Sequence, residues 1–410
     1  MTDPLGHTVT NIYDAANRVE RISNPLGQTS TNLYDANGNL VAWFDKLGQR
    51  WSKTYDRLNR VIADTDPLGN TRQAAYDVAG RLQQSITPNG YPSIHFYDGR
   101  GRLTKWKDAE GFDWLYTYDG NGNIVDIEDA LHGHYVMAYG PRNERMLERN
   151  QDNFEWRYDY DELLRLQRQT DPNGTTRTPD YDPAGRVRLV DFSTLRRDTF
   201  DYDDNDNPRT ISRRFGGLTT ATRFVYDALD RPIEQTDAHA QTVLYGYDPL
   251  GRVTSVTYPG SKTLTNIYDP LGRLTNQMDW ATRQMSYDYD KAGRLIRRAY
   301  PNGVVQTNSF DTAGRITGLS YSSLNPQPST INIALAYAYD RNGNKVGSSE
   351  KGTLQWPLPT LTDEKADYTK SGRLKTRMVE HLPSPGGEGQ GEGGTLPATI
   401  NYSFDPSGNM

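Results

Sequence analysis

The 410-residue chain contains no cysteine. Disulfides, thiolate zinc sites and thiol catalysis are therefore excluded. The compartment stays open, because an exported protein need not use disulfides. Lysine is scarce, with 11 Lys against 35 Arg. There is no basic excess either: 46 Lys and Arg face 52 Asp and Glu, for a net charge of −6. Neither a nucleic-acid footprint nor a polybasic membrane surface is expected. No run of 18 apolar residues exists, so no transmembrane helix is expected. The N-terminal MTDPLGHTVTNIYD lacks the basic and apolar regions of a signal peptide. Apolar residues are few. The 35 % hydrophobic fraction includes 27 Tyr. Without Tyr and with Gly it is roughly 37 %, against ~45–50 % in ordinary domains. One large apolar core is thus excluded. Yet 11 % aromatic residues and a modest net charge do not fit a disordered chain.

What is present is a repeat. An aromatic-Asp pair recurs every 21 residues at Tyr13-Asp14, Tyr34-Asp35, Tyr55-Asp56, Tyr76-Asp77, Tyr97-Asp98 and Tyr118-Asp119. After the degenerate Tyr139-Gly140 it resumes at Tyr160-Asp161, Tyr181-Asp182 and Tyr202-Asp203. A step of 24 leads to Tyr226, and the period returns at Tyr247-Asp248, Tyr268-Asp269, Tyr289 and Phe310. Steps of 29, 29 and 36 then reach Tyr339, Tyr368 and Phe404. Three residues after the Asp stands Gly, as at Gly38, and usually Gly-Arg, as in Gly80-Arg81, Gly185-Arg186, Gly251-Arg252 and Gly272-Arg273. About ten residues later comes a second D-x-x-G, often with proline, such as Asp66-Pro67-Leu68-Gly69.

Both halves of the repeat share one turn chemistry. Asp accepts backbone hydrogen bonds, Pro pre-sets the second position, and Gly occupies the position of positive φ. Where Gly is missing, Asn17, Asn59, Asn143, Asn153, Asp206 or Asp230 stands in, the residue types that tolerate this conformation best. Leu164 and Leu195 break the rule, and their turns are expected to differ. A three-residue loop ending in a left-handed residue is a hairpin connection. The six or seven residues between turns, rich in Thr, Val, Ile, Tyr and Trp, read as strands.

These units predict an all-β fold of about eighteen 21-residue repeats: a long antiparallel hairpin-repeat sheet coiled into a hollow spiral shell or barrel. About 36 strands at ~4.8 Å give a ribbon roughly 170 Å around and ~20 Å tall. Open twisted sheets curl before reaching that width, and one turn of such a ribbon is too wide for side chains to fill. A single-layer wall wetted on both faces suits the polar composition. Tyr and Arg recur on alternate strands and should form rows in which rings and guanidinium planes cover one another. The apolar residue after Gly-Arg (Leu82, Leu103, Val187, Val253, Leu274, Leu295, Ile316) should supply a thin apolar stripe.

Tyr-Asp-x-x-Gly-Arg-Leu with an intervening D-P-x-G resembles the YD, or Rhs, repeat family, from Asp3 to Gly408. The resemblance implies a hollow β-shell. In bacterial Rhs proteins and the C components of insecticidal toxin complexes, the shell encloses a toxic C-terminal domain. In animal teneurins a related barrel serves adhesion. The resemblance implies an enclosed cargo polypeptide as partner in a longer parent, of the polymorphic-toxin kind. It also implies a secreted or cell-surface location, with the export signal outside this chain. The family's self-cleaving core segment has no counterpart here. The chain opens and stops inside a repeat, as a shell fragment without cargo would, and edge-to-edge self-association of its open strands is expected.

Residues 1–214 form a regular block and 215–321 a second one, after a three-residue insertion around Phe215-Gly216-Gly217. Residues 322–410 hold degenerate repeats with insertions, including a low-complexity, mobile loop at 383–394.

No chemical constellation rises above this pattern. Of the six histidines, His7, His95, His132, His134, His239 and His381, only His132-Gly133-His134 hints at a metal, in a turn expected to be irregular. Asp201 to Asp206 lacks the glycine and glutamate of a calcium loop. No phosphate loop, nucleophile elbow or zinc-protease motif occurs. The expectation is a non-enzymatic chain with no cofactor and no metal. The structural markers are the repeated Tyr, Asp, Gly and Arg. The alternative is a cell-surface or carbohydrate-binding module using exposed aromatic rows.

Overall fold

The computed structural model describes residues 1–323, 332–353, 362–368, 374–381 and 398–401. Among these lie 35 strands and no helix. The fold is all-β and built from antiparallel hairpins. Regular strands run five or six residues, as in Thr71–Tyr76 and Leu82–Ile86. Such segments, punctuated by turns at both ends, are too short to pay for helix nucleation and rich enough in β-branched and aromatic residues to pleat. The segment 383–394 lies outside the described residues.

The chain divides into two units, Met1–Phe112 with Ile267–Met410, and Asp113–Asn266. In the first, each strand from Thr10–Tyr13 to Leu103–Lys107 pairs with the next. Those from Leu274–Met278 to Ala398–Asn401 do likewise. In the second, the same meander runs from Asp113–Tyr118 to Lys262–Tyr268. In a meander alternate hairpin loops fall on opposite edges. Within each unit the Tyr-Asp loops therefore line one rim, and the loops of the D-P-x-G kind line the other.

The two rims are not equivalent. Hairpins closed by a Tyr-Asp loop carry a register shift beside the Tyr: Tyr76 faces Leu82, but Ala75 faces Gln84, leaving Gln83 as an extra residue. Hairpins closed at the other rim, such as Ala63 to Thr65 against Thr71 to Gln73, keep register. A bulge bends its strand and adds right-handed twist, so one such bend enters per repeat, on one side only.

The described residues have almost no interior. Among the described residues the buried apolar side chains are Ala42, Val190 and Val305. The residue after Gly-Arg is half-buried at Leu82, Leu103, Val187, Val253, Leu274, Leu295 and Ile316.

Two expectations change, at Leu164 and at His132. Leu164 has φ 61, and its turn makes the standard bonds, Leu164 N–H to the Asp161 carbonyl at 3.0 Å and Asp161 N–H to the Arg165 carbonyl at 2.9 Å. The Asp161 carboxylate, accepting from the N–H groups of Leu163 and Arg165, holds the turn although leucine strains it. Leu195 likewise adopts φ 62; what differs there is the first position, where Phe192 stands in place of an Asp cap. The turn at His132 is regular too. His132, with φ 63, fills the glycine slot of an Asp129-led loop. The insertion at residue 215 lengthens one hairpin, closed by Gly216 and Gly217 between Phe215 and Leu218, and both glycines take positive φ.

In the first unit the ribbon returns upon itself. The loop Thr87-Pro88-Asn89-Gly90, on the D-P-x-G rim, meets the Tyr-Asp-type loop Asp340-Arg341-Asn342-Gly343. Asn89 N–H donates to Asn342 Oδ1 at 2.9 Å and Asn89 Nδ2 donates to Asp340 Oδ2 at 3.0 Å. The span is about twelve 21-residue periods.

Candidate functional site

The recurring chemical assembly of this molecule is a clasp that joins a repeat to the next where both Asp and Arg are present, seen clearly at Asp77, Arg81 and Tyr97. The Asp77 carboxylate accepts the N–H groups of Ala79 and Arg81, both at 2.9 Å, through Oδ1. Its Oδ2 takes Arg81 Nε at 2.7 Å. Gly80, at φ 84, turns the chain so that Arg81 can pair with Asp77. The anchored guanidinium then crosses to the next repeat. It donates to the Asp98 carbonyl at 3.3 Å and lies over the Tyr97 ring, 4.7 Å from its centroid. Tyr97 reaches back, donating its hydroxyl to the Leu82 carbonyl at 2.8 Å. Leu82 sits at the register shift, where the ladder is interrupted, so the phenol serves a carbonyl the bulge has displaced.

The structure places the sequence markers in this assembly. Tyr34 bonds the Val19 carbonyl, Tyr76 that of Val61, Tyr181 that of Leu166 and Tyr247 that of Pro232. Arg18 lies over Tyr34, Arg60 over Tyr76, Arg165 over Tyr181, Arg231 over Tyr247 and Arg273 over Tyr289. Asp14, Asp182, Asp248 and Asp269 each pair with the Arg four residues on, at 2.6 to 2.7 Å. Gly185, Gly251 and Gly272 occupy the same slot as Gly80. Tyr13 opens the series and is half-exposed.

Arg18 holds the Asp14 carboxyl below the usual carboxylate range by a side-chain hydrogen bond, and Arg60 does the same for Asp56. At Asp35, Asn39 replaces the arginine and its amide lowers the carboxyl in the same direction. The shorter Asn39 meets the next repeat at its left-handed position instead. There the next left-handed position carries Asn59, and Asn39 Nδ2 donates to Asn59 Oδ1 at 2.8 Å. Asn123 and Asn143, and Asn207 and Asp230, repeat the arrangement. Where Arg is present the following slot is commonly Gly. A Cβ built at Gly101 would lie 3.7 Å from Arg81 Nη1. The choices Arg then Gly, or Asn then Asn/Asp, thus go together across about 20 residues, with Arg186 and Asp206, which pair directly at 2.5 Å, as an exception. This coupling and the phenol bond escaped the sequence reading. The pairing of Gly38-Asn39 with Asn59 was the available signal.

The other candidates stay within the repeat chemistry. His132 Nδ1 pairs with Glu128, and His134 Nδ1 lies 3.0 Å from an Asp126 oxygen. No group of three or more His, Asp or Glu converges as a metal site among the described residues. In the Asp201 to Asp206 stretch, Asp203 caps its own loop through the N–H groups of Asn205 and Asn207. The concavity beside Tyr160 is lined by Asp159 and Arg168, already paired at 2.8 Å. No helix of the described residues is long and apolar enough to cross a membrane.

No curated protein matches the chain. Solved structures do. A crystal structure of TcdB2-TccC3 without hypervariable C-terminal region superposes with a TM-score of 0.77 at 14 % identity, covering 97 % of this chain and 24 % of that one. TcdB2-TccC3-TEV gives 0.73 at 14 % identity, covering 99 % and 27 %. A Photorhabdus luminescens Tc holotoxin pore gives 0.63 at 14 % identity, covering 96 % and 27 %. The chain therefore has their fold and spans about a quarter of their length. The profile of the RHS repeat matches residues 34–71, 55–92, 97–132, 155–194, 226–263 and 268–305. These segments take in more than half of the chain and coincide with the clasped hairpins, and the chain belongs to the RHS repeat family.

Proposed function

We propose that the chain is a non-catalytic wall segment of a hollow shell whose parent protein encloses and exports a polypeptide cargo, a toxin or other effector. One observation carries the reading. Its recurring chemistry, the Asp-Arg-Tyr clasp, holds neighbouring repeats together, and in the first unit the ribbon comes back to bond with itself through Asn89 and Asp340. A wall with so few buried apolar residues is stabilised strand by strand, so it can lengthen around a cavity without needing a filled centre. The likeness to toxin-complex structures favours a toxin as the cargo class.

The test is limited proteolysis of the parent protein that contains this segment. A downstream domain should resist protease while the wall is folded, and become cleavable once the wall is opened in acid or denaturant. Equal cleavage before and after opening would remove the encapsulation reading. A rival role, glycan binding through exposed aromatic rows, is disfavoured by the clasp: in the clasped repeats, as at Tyr76, Tyr97 and Tyr181, the arginine covers a face of the tyrosine ring that a sugar would need.

A further inference from the structure

The contact at Asn89 depends on a departure from the loop pattern. In Asp-led loops the third residue's N–H turns inward: Leu68 N–H donates to Asp66 Oδ1 and Asn173 N–H to Asp171 Oδ1, both at 2.9 Å. Thr87 replaces Asp, and its Oγ1 takes the Tyr91 N–H at 3.2 Å. The Asn89 N–H is left to point outward, where Asn342 Oδ1 receives it. Another loop on the same rim has this construction. Tyr300-Pro301-Asn302-Gly303 closes with the same backbone bonds and also begins without Asp; the Tyr300 hydroxyl is committed to Gln306 at 3.1 Å. Asn302 Oδ1 accepts from the Val304 N–H. Asn302 is exposed, and among the described residues its own N–H and Nδ2 have no acceptor.

The matching acceptor exists in the same unit. Asn89 is received by an Asp-x-Asn-Gly loop, the Asp through Oδ2 and the Asn through Oδ1. Asp35-Ala36-Asn37-Gly38 has the same sequence form on the same rim. Its Asp35 Oδ2 takes Asn39 Nδ2 at 2.9 Å, as Asp340 takes Asn344 at 2.9 Å. Asn37 Nδ2 donates to Asn59, and its Oδ1 has no donor among the described residues.

We propose that Asn302 is a docking knob for the Asp35-Ala36-Asn37-Gly38 loop of a second copy of this chain, stacking chains rim on rim. The knob and its socket sit on opposite rims, so the contact is heterologous and builds rings or open chains of more than two copies. It is distinct from pairing of open edge strands, which involves neither loop.

Sedimentation velocity up to about 1 mM, the affinity range of so small a contact, tests this. The wild-type chain should associate with increasing concentration. Asn302→Ala and Asn37→Ala should each weaken association roughly tenfold. A 1:1 mixture of the two variants should recover dimers but no longer chains, because one intact knob and one intact socket remain. Asn173→Ala, in a loop whose N–H is already capped, should associate as wild type. Thermal midpoints check that every variant is folded. A strictly monomeric wild type would overturn the proposal. So would variants that associate as wild type, which would assign association to edge strands.

Discussion

Asn308 donates through Nδ2 to the Leu295 carbonyl at 2.8 Å, the bond that a tyrosine hydroxyl makes in other repeats. Here Phe310 occupies the tyrosine position and has no hydroxyl. The carbonyl at the bulge therefore requires a donor, and the repeat supplies it from either of two positions on the same strand.

Tyr76→Phe should cost about 1 kcal/mol by orphaning the Val61 carbonyl. Adding Ala74→Asn, which recreates the Asn308 arrangement, should recover at least half of it. Urea midpoints of the two variants decide. If the single variant matches wild type, the phenol bond contributes nothing.

Arg60→Asn should destabilise by cutting both the pair with Asp56 and the reach to the next repeat. Arg60→Asn with Gly80→Asn should lose less than the two single changes added together, because the pair rebuilds the Asn39 to Asn59 contact. A double-mutant cycle on the unfolding midpoint measures this. Strict additivity would mean that the sequence coupling has no energetic basis.

Leu164→Gly should stabilise by about 0.5–1 kcal/mol, since leucine at φ 61 carries left-handed strain that glycine does not. The thermal midpoint should rise. A fall would show that the half-exposed leucine packs usefully.

Asn342→Ala removes the acceptor of the Asn89 N–H. Amide exchange at Asn89 should quicken by roughly fivefold to tenfold, while Ala79, capped within its own loop, exchanges as before. Unchanged exchange at Asn89 would deny the rim contact its role.

The repeated aspartates carry a pH dependence. Arg18 holds the Asp14 carboxyl low and Arg60 that of Asp56. A depressed folded value means the stabilisation is complete above the unfolded carboxylate range, near pH 4, and is lost as pH falls through the lower folded values. Thermal midpoints should stay level from about pH 7 to 5 and fall below about pH 4. A decline already between pH 7 and 5 would point to other groups.

The sequence by itself determined the strands, the turns and the repeat. Each follows from local chemistry: Asp caps within four residues, Gly or Asn supplies positive φ, and the short segments between them can only pleat. It also announced that Tyr and Arg would stack, because one period fixes them on neighbouring strands. Leu164 and His132 misled, because a carboxylate cap can hold a turn whose last residue strains it.

The tertiary structure alone decided what depends on the neighbouring repeat or a distant one. The bulge on one rim creates the carbonyl that Tyr76 must satisfy, and no count of spacings shows a displaced carbonyl. The Asn39 to Asn59 exchange has meaning only when the two loops lie side by side. That Asn89 meets Asp340, rather than any other aspartate of the series, depends on the accumulated bend and twist of every hairpin between them. A small change in each would move the meeting point by whole repeats, which local sequence cannot fix.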